Sequence, residues 1–181
     1  MSLELGLDTF GDIANGADGK PLHPATVIRE VLAEGELADR LGLDFFGVGE
    51  HHRDDYAVSA PDVLLAGLAT RTEHIRLGTS VTVLSSDDPI RVFQRFSTVD
   101  ALSQGRAEIT VGRGSFIESF PLFGLDLSDS DPDGQMARLR RGHDALDLHG
   151  RADRPLPAHR LLRDDGGEQV ELLLEERLVV G

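Results

Sequence analysis

The chain has 181 residues, 40% of them hydrophobic and 28% charged, which is the composition of a soluble globular protein long enough for one domain with a real core. Its 32 acidic and 18 basic side chains give a formal net charge of -14, which argues against a nucleic-acid partner, because phosphate binding relies on basic surface. No apolar run approaches the roughly 18 residues that a membrane span needs, and the absence of cysteine excludes disulfides, thiolate zinc sites and iron–sulfur clusters.

Met1 to Gly6 has neither a basic n-region nor an apolar h-region, so no secretory leader is read there and a cytoplasmic address is expected. Leu3 to Phe10 then alternates apolar and polar residues, a strand pattern. Thr26 to Leu41 carries Val27, Val31, Ala38 and Leu41 at helical spacing, with Pro24 near its start and Gly42 just past its end. Phe45 to Gly49 is a short apolar run that fits a buried strand. Ser59, Pro61 and Asp62 open a second helix reaching about Thr72, and Ile75 to Leu84 is a β-branched strand. Asp88 as N-cap and Pro89 as the first helical residue open a third helix that ends at Gly105. Its spacing predicts Val92, Phe96, Val99 and Leu102 as the buried face. Arg106 to Gly112 reads as the next strand.

The composition changes after this point. Residues 1–134 hold 23 acidic and 10 basic side chains, whereas residues 135–181 hold 9 and 8. All eight phenylalanines and the single tyrosine lie at or before Phe123. The polar stretch Ser128 to Gly134, with Pro132 in it, reads as a boundary. The expected organisation is therefore a folded unit over 1–127, and a linker with an atypical tail over 128–181.

Four strands starting near residues 3, 45, 76 and 107 alternate with helices, which predicts an α/β fold with a parallel sheet. Two architectures follow, a doubly wound sheet and a (β/α)8 barrel. The first wants a glycine-rich phosphate turn after strand one, and Asp8-Thr9-Phe10-Gly11-Asp12 is not one; Gly47/Gly49 and Gly112/Gly114 lack the third glycine of a dinucleotide fingerprint.

In either architecture chemistry gathers at the C-terminal ends of the strands. Those ends carry Asp8, Thr9 and Phe10; Glu50-His51-His52-Arg53-Asp54-Asp55; Thr79-Ser80 within the third strand and Ser85 to Asp88 at its end; and Gly112-Arg113-Gly114-Ser115. Adjacent side chains on an extended segment point to opposite faces, so at most one of His51 and His52 faces the sheet mouth, while Glu50 and His52 can face together with Asp54. No metal is assigned. A neutral imidazole titrating at about 6.5 suits proton transfer; a solvated polar strand end is the competing reading. Arg113 between two glycines offers a planar fork for phosphate or carboxylate, or else closes a tight turn by pairing with one of the chain's many acids.

Glu50-His51-His52, Leu77-Gly78-Thr79-Ser80-Val81, the helix start Asp88-Pro89-Ile90-Arg91, Leu102-Ser103-Gln104-Gly105-Arg106 and Gly112-Arg113-Gly114 follow one another in that order. In order and spacing they resemble the N-terminal half of bacterial luciferase-like flavin monooxygenases. The resemblance covers residues 3–127. It implies a TIM-type (β/α)8 barrel holding reduced FMN at its mouth, or a deazaflavin in one branch, and a reaction with dioxygen and a small organic substrate. It also implies a flavin reductase as partner, while the unpaired edges and apolar inner face of a four-stranded half-barrel predict a homo-oligomer. By the same resemblance His51 matches the active-site histidine that handles protons during the oxygen reaction. Thr79 and Ser80 match a non-prolyl cis peptide behind the flavin ring, and Arg113 an arginine near the flavin phosphate. Glu50 and Asp8 would support them from behind.

A closed barrel needs eight strands and about 250 residues. Only about four strands precede the tail, so a partial barrel is expected. The tail, rich in arginine and leucine and without aromatics, admits three origins: a truncated and frame-shifted reading frame, a natural half-barrel that pairs with a second copy, or a flavin-binding remnant. A final stretch, Glu171 to Val180, has the pattern of one helix or strand.

Overall fold

The computed structural model describes residues 3–112 and 116–126. Arg113, Gly114 and Ser115, and the segment 128–181 read above as linker and tail, lie outside the described residues.

Three parallel strands, β1 (Gly6–Thr9), β2 (Phe45–Val48) and β3 (Arg76–Thr79), form a sheet in the order β1-β2-β3. The helices α1 (Pro24–Arg40) and α2 (Pro61–Ala69) connect them. A second parallel pair, β4 (Thr82–Val83) and β5 (Val111–Gly112), continues the same progression, joined to it by a parallel bridge between Leu77 and Ala107. The helix α3 (Pro89–Ser103) precedes β5 and the short α4 (Ser119–Leu122) follows it. The fold is thus α/β with parallel strands.

The elements form largely where the sequence places them, with differences at their edges. The first strand is shorter than Leu3 to Phe10, because pairing with β2 begins at the register Gly6–Phe45. Its alternating leucines, Leu3, Leu5 and Leu7, remain exposed: β1 is an edge of the described sheet, and α1 packs over β2 instead. The expected strand Ile75 to Leu84 divides into β3 and β4 around a cis peptide bond between Ser80 and Val81. The expected strand Arg106 to Gly112 follows that division. It pairs with Leu77 at one end, where Glu108 N–H donates to Leu77 O (2.8 Å), and with β4 at the other, where Thr82 N–H donates to Thr110 O (2.8 Å).

Helix limits follow local chemistry. His23 caps α1, its Nδ1 accepting from Ala25 N–H at 3.2 Å, and Pro24 supplies the first turn without a donor to satisfy. Asp88 caps α3 by accepting from Arg91 N–H at 2.9 Å, and Gln104 ends it in the left-handed region. On α3 Val92, Phe96 and Val99 are buried as the spacing predicts, but Leu102 is 43% exposed; the buried residues of that last stretch are Asp100 and Ser103. Both are held by hydrogen bonds, Asp100 Oδ1 accepting from Ala107 N–H and Ser103 Oγ donating to Asp100 O.

One face of the sheet packs against the helices. Phe46, Val48, Ile75 and Leu77 meet Val27 and Val31 of α1, Leu65 and Leu68 of α2, and Val92, Phe96 and Val99 of α3 in a single apolar core. Burying each such side chain stabilises by roughly 1.5–3 kcal/mol. Gly35 lets α1 approach closely, since a Cβ there would stand 2.6 Å from Leu68 Cδ2. Two polar residues fix the loop between α2 and β3. Arg106 donates to the carbonyls of Ala69, Thr72, Ile75 and Ser103. The Asp39 carboxylate accepts three backbone N–H groups, from Glu73, His74 and Ile75, at 2.7–3.0 Å.

Burial alone would lift the Asp39 carboxyl, but these three donors, with His74 beside it, hold it below its ordinary value. Its contribution is therefore complete above the unfolded value of about 4 and is lost as pH falls through the lower folded value. Asp39→Ala should lower urea stability at pH 7 by about 1–3 kcal/mol and weaken the acid sensitivity of the unfolding midpoint. A wild-type midpoint at both neutral and acid pH would contradict this role.

Candidate functional site

The face of the sheet turned away from the helices is built from small residues. The register aligns Asp8 with Gly47 and Gly47 with Gly78 across the three strands. Neighbouring side chains lie across these positions: a Cβ at Gly47 would meet Asp8 Oδ1, one at Gly49 the Phe10 ring, one at Gly78 the Phe45 ring and one at Gly112 Val81. The four glycines are buried beneath these side chains, so this face is built from Asp8, Phe10, Phe45 and Val81 packed over glycine.

His51 stands at the C-terminal strand end, two residues beyond Gly49 on the same side. Its ring stacks on Tyr56 (centroids 4.2 Å apart, planes 28° from parallel) and meets Phe10 and Phe116 edge-on, each at 5.0 Å. The loop from Glu50 to Val58 that carries these groups is tied down by backbone bonds. His51 N–H donates to Val58 O (3.0 Å), Ala57 N–H to Gly11 O (2.8 Å) and Ile13 N–H to Asp55 O (2.9 Å). Gly11 makes the approach possible: its φ is +65°, and a Cβ there would crowd Val58.

Burial pushes the His51 imidazole below its ordinary pKa. Asp12 opposes this, Arg53 adds to it, and Asp55 and Glu118 oppose it. The ring is therefore neutral at physiological pH and able to take or give a proton. Arg53 lies above the Phe116 ring at 4.8 Å and the Tyr56 ring at 5.9 Å, its fork bound to both oxygens of Asp55 at 2.9 Å. An open cleft of about 580 Å³ beside it is lined by His52, Arg53, Asp54, Asp55 and Glu118.

The two histidines separate as strand alternation requires. His52 turns away from His51, and its Nε2 pairs with Glu50 Oε1 at 2.8 Å. Both side chains are mostly buried, and the His52 ring meets Phe123 edge-on at 5.1 Å. Burial raises the Glu50 carboxyl above its ordinary range, although His52 and the Val83 N–H pull against it. Asp54 is exposed and does not join the pair. Among the described residues no group of three or more histidines and carboxylates could hold a metal ion.

Of the flavin-facing pair expected from sequence, Thr79 is 1% exposed and its hydroxyl is spent within the sheet, on Thr82 Oγ1 (2.9 Å) and Thr110 O (3.1 Å). Ser80 is half-buried, with its N–H on Val48 O (3.1 Å). The cis bond is Ser80–Val81, one residue later than Thr79–Ser80. Asp8 lies on the glycine face and Glu50 does not. Arg113 lies outside the described residues. The aromatic surround of His51 was not read from sequence as part of the site. Its one available signal is that Tyr56, the only tyrosine, falls five residues after His51.

Residues 9–151 match the family of luciferase-like monooxygenases. The 4-hydroxyprotoasukamycin monooxygenase of Streptomyces nodosus subsp. asukaensis is 33% identical over 159 residues, 84% of this chain and 38% of that protein. The oxygenase component of the flavin-dependent trigonelline monooxygenase of Acinetobacter baylyi is 33% identical over 88 residues, 48% of this chain and 24% of that one. The fold is shared with the oxygenating constituent of 3,6-diketocamphane monooxygenase from Pseudomonas putida, solved with FMN. The TM-score is 0.70 at 18% identity, covering 98% of this chain and 47% of that one. The chain spans about a third of the length of the curated relatives it matches.

Glu50→Ala would leave His52 Nε2 without its partner. It should lower the urea midpoint by an amount equivalent to about 1–3 kcal/mol while leaving the His51 titration in place. An unchanged midpoint would show that the pair contributes nothing to the fold.

Proposed function

Because this chain belongs to the luciferase-like monooxygenase family, we propose that it is the flavin-facing part of a flavin-dependent monooxygenase that uses reduced FMN and dioxygen on a small organic substrate. The observation that carries the reading is the position of His51, a neutral histidine at the C-terminal end of β2, beside a glycine-lined face and walled by aromatic rings. Residues 1–127 supply the first half of a TIM-type barrel and residues 128–181 a linker and atypical tail, of which 128–151 fall within the family match. A separate reductase supplies the reduced flavin.

The residues present fit a planar, partly apolar ring. Gly47, Gly49 and Gly78 let Phe10 and Phe45 lie flat as an apolar floor, with the Asp8 carboxylate over Gly47 and the Ser80 carbonyl beside Gly49 as its polar groups. Bound there, FMN would supply the reducing electrons for activating dioxygen. Ser80 and the backbone around it would support the ring and Arg113 its phosphate, with the buried Thr79 holding the turn behind them. Phe10, Tyr56 and Phe116 exclude water from one side of His51. His51 itself takes and returns one proton at an imidazole nitrogen as oxygen is transferred. One other reading is a unit that binds flavin without turnover.

The test is incorporation of labelled dioxygen into a panel of small apolar substrates, read by mass spectrometry with the chain supplied with reduced FMN or a reduced deazaflavin. Incorporation with FMN is expected, and His51→Ala should reduce it about 100-fold or more while reduced-flavin binding stays within about threefold. Flavin binding without incorporation supports the non-catalytic reading. Oxidation of reduced deazaflavin with reduction of the substrate and no label incorporated replaces both the cofactor and the reaction with hydride transfer. Unchanged incorporation in His51→Ala removes His51 from the chemistry.

A further inference from the structure

A histidine that moves protons must be held in one orientation, and the usual device is a hydrogen bond to its second ring nitrogen. Among the described residues His51 makes no such bond, and its ring is oriented by ring contacts alone, edge-on to Phe10 and Phe116 and face-on to Tyr56. Edge contacts at 5.0 Å leave a ring free to pivot about its own axis, whereas a stack at 4.2 Å and 28° fixes its plane.

Tyr56 is well placed to impose that plane because its own position is over-determined. Its backbone bridges Asp12 in antiparallel fashion, and the residues on either side of it bond to Ile13 and Gly11. Arg53 lies over its ring at 5.9 Å, and the Asp55 carboxylate holds Arg53 in turn. The ring thus has a cation on one flank and the imidazole on another, and it is only partly exposed.

We propose that Tyr56 is the positioning residue of His51, fixing the imidazole by stacking where a hydrogen bond would otherwise do so. This rests on the reading of His51 as the proton-handling group, and it adds a residue that acts through His51 without touching substrate. The charged groups that face His51 are Asp12 from the segment after β1, Arg53 and Asp55 from its own loop, and Glu118 from the segment before α4. A substitution at position 56 leaves all four in place in the chain, and Arg53, which loses one ring beneath it, keeps Phe116 and Asp55. Opening the stack lets water reach the imidazole, so its titration moves up toward the ordinary histidine value. If turnover needs the neutral ring, the acid limb of its pH profile moves to higher pH with it.

Two measurements on the full chain test this. In the wild type, proton NMR should find the His51 ring signals displaced upfield from those of the other six histidines, as a ring stacked on Tyr56 requires. Signals at ordinary positions would overturn the proposal without any variant. Then Tyr56→Met, which keeps bulk and removes the aromatic face, should raise the His51 titration. It should lower kcat roughly tenfold with flavin KM within about threefold, and shift the acid limb upward. Tyr56→Phe should restore wild-type behaviour in all three. A wild-type His51 titration in Tyr56→Met, or a Tyr56→Phe variant as impaired as Tyr56→Met, would overturn it. A displaced titration with unaltered turnover would uphold Tyr56 as the residue that holds His51 and overturn instead the catalytic role given to His51.

Discussion

The register of β2 between its two neighbours is the constraint on which the rest of the structure depends. Parallel pairing sets Phe46 beside Leu7 and Leu77, and Gly47 beside Asp8 and Gly78. Because side chains alternate across a strand, that one register sends Phe46 and Val48 into the helices and leaves the intervening glycines on the opposite face. A slip of one residue would exchange the two sets, burying glycine where the core needs phenylalanine. The same alternation, carried past the end of β2, puts His51 on the glycine face and turns Glu50 and His52 toward each other.

The energetics divide along those two faces. The helix side supplies stability through a continuous apolar core and through two polar fasteners, Asp39 and Arg106, that close the loop between α2 and β3. On the other side glycines are buried beneath Asp8, Phe10, Phe45 and Val81, and aromatic rings surround His51 at the strand ends. The separation lets substitutions on one face be read independently of the other, because residues that share no partners contribute nearly additively.

Much of this was legible in the sequence. Pro24, Asp88 and Pro89 mark helix starts because their chemistry is local, and the division between His51 and His52 follows from strand geometry alone. What was not legible depends on partners that no periodic pattern announces. Leu102 has the spacing of a core residue but sits where α3 runs out of neighbours, while Asp100 and Ser103 are buried because Arg106 and Ala107 return to bond beside them. Leu3, Leu5 and Leu7 have the alternation of a buried strand, yet they stay exposed before and along the edge strand β1. Tyr56 belongs to a loop with no periodicity, and only the pairing of that loop with Gly11 to Ile13 brings its ring onto His51. Thr79 matched a family position, but its hydroxyl is turned into the sheet.

The central claim is that the glycine-lined face at the C-terminal strand ends is where reduced flavin sits. Backbone amide NMR of the chain, recorded anaerobically as reduced FMN is added, tests it most directly. The account predicts that amides of Gly47 to His51, Gly78 to Val81 and Glu108 to Gly112 shift together with a saturating dependence on flavin, while those of α1 and α2 on their outer faces do not. Shifts confined to the helix side, or no saturating shift in these three segments, would contradict it.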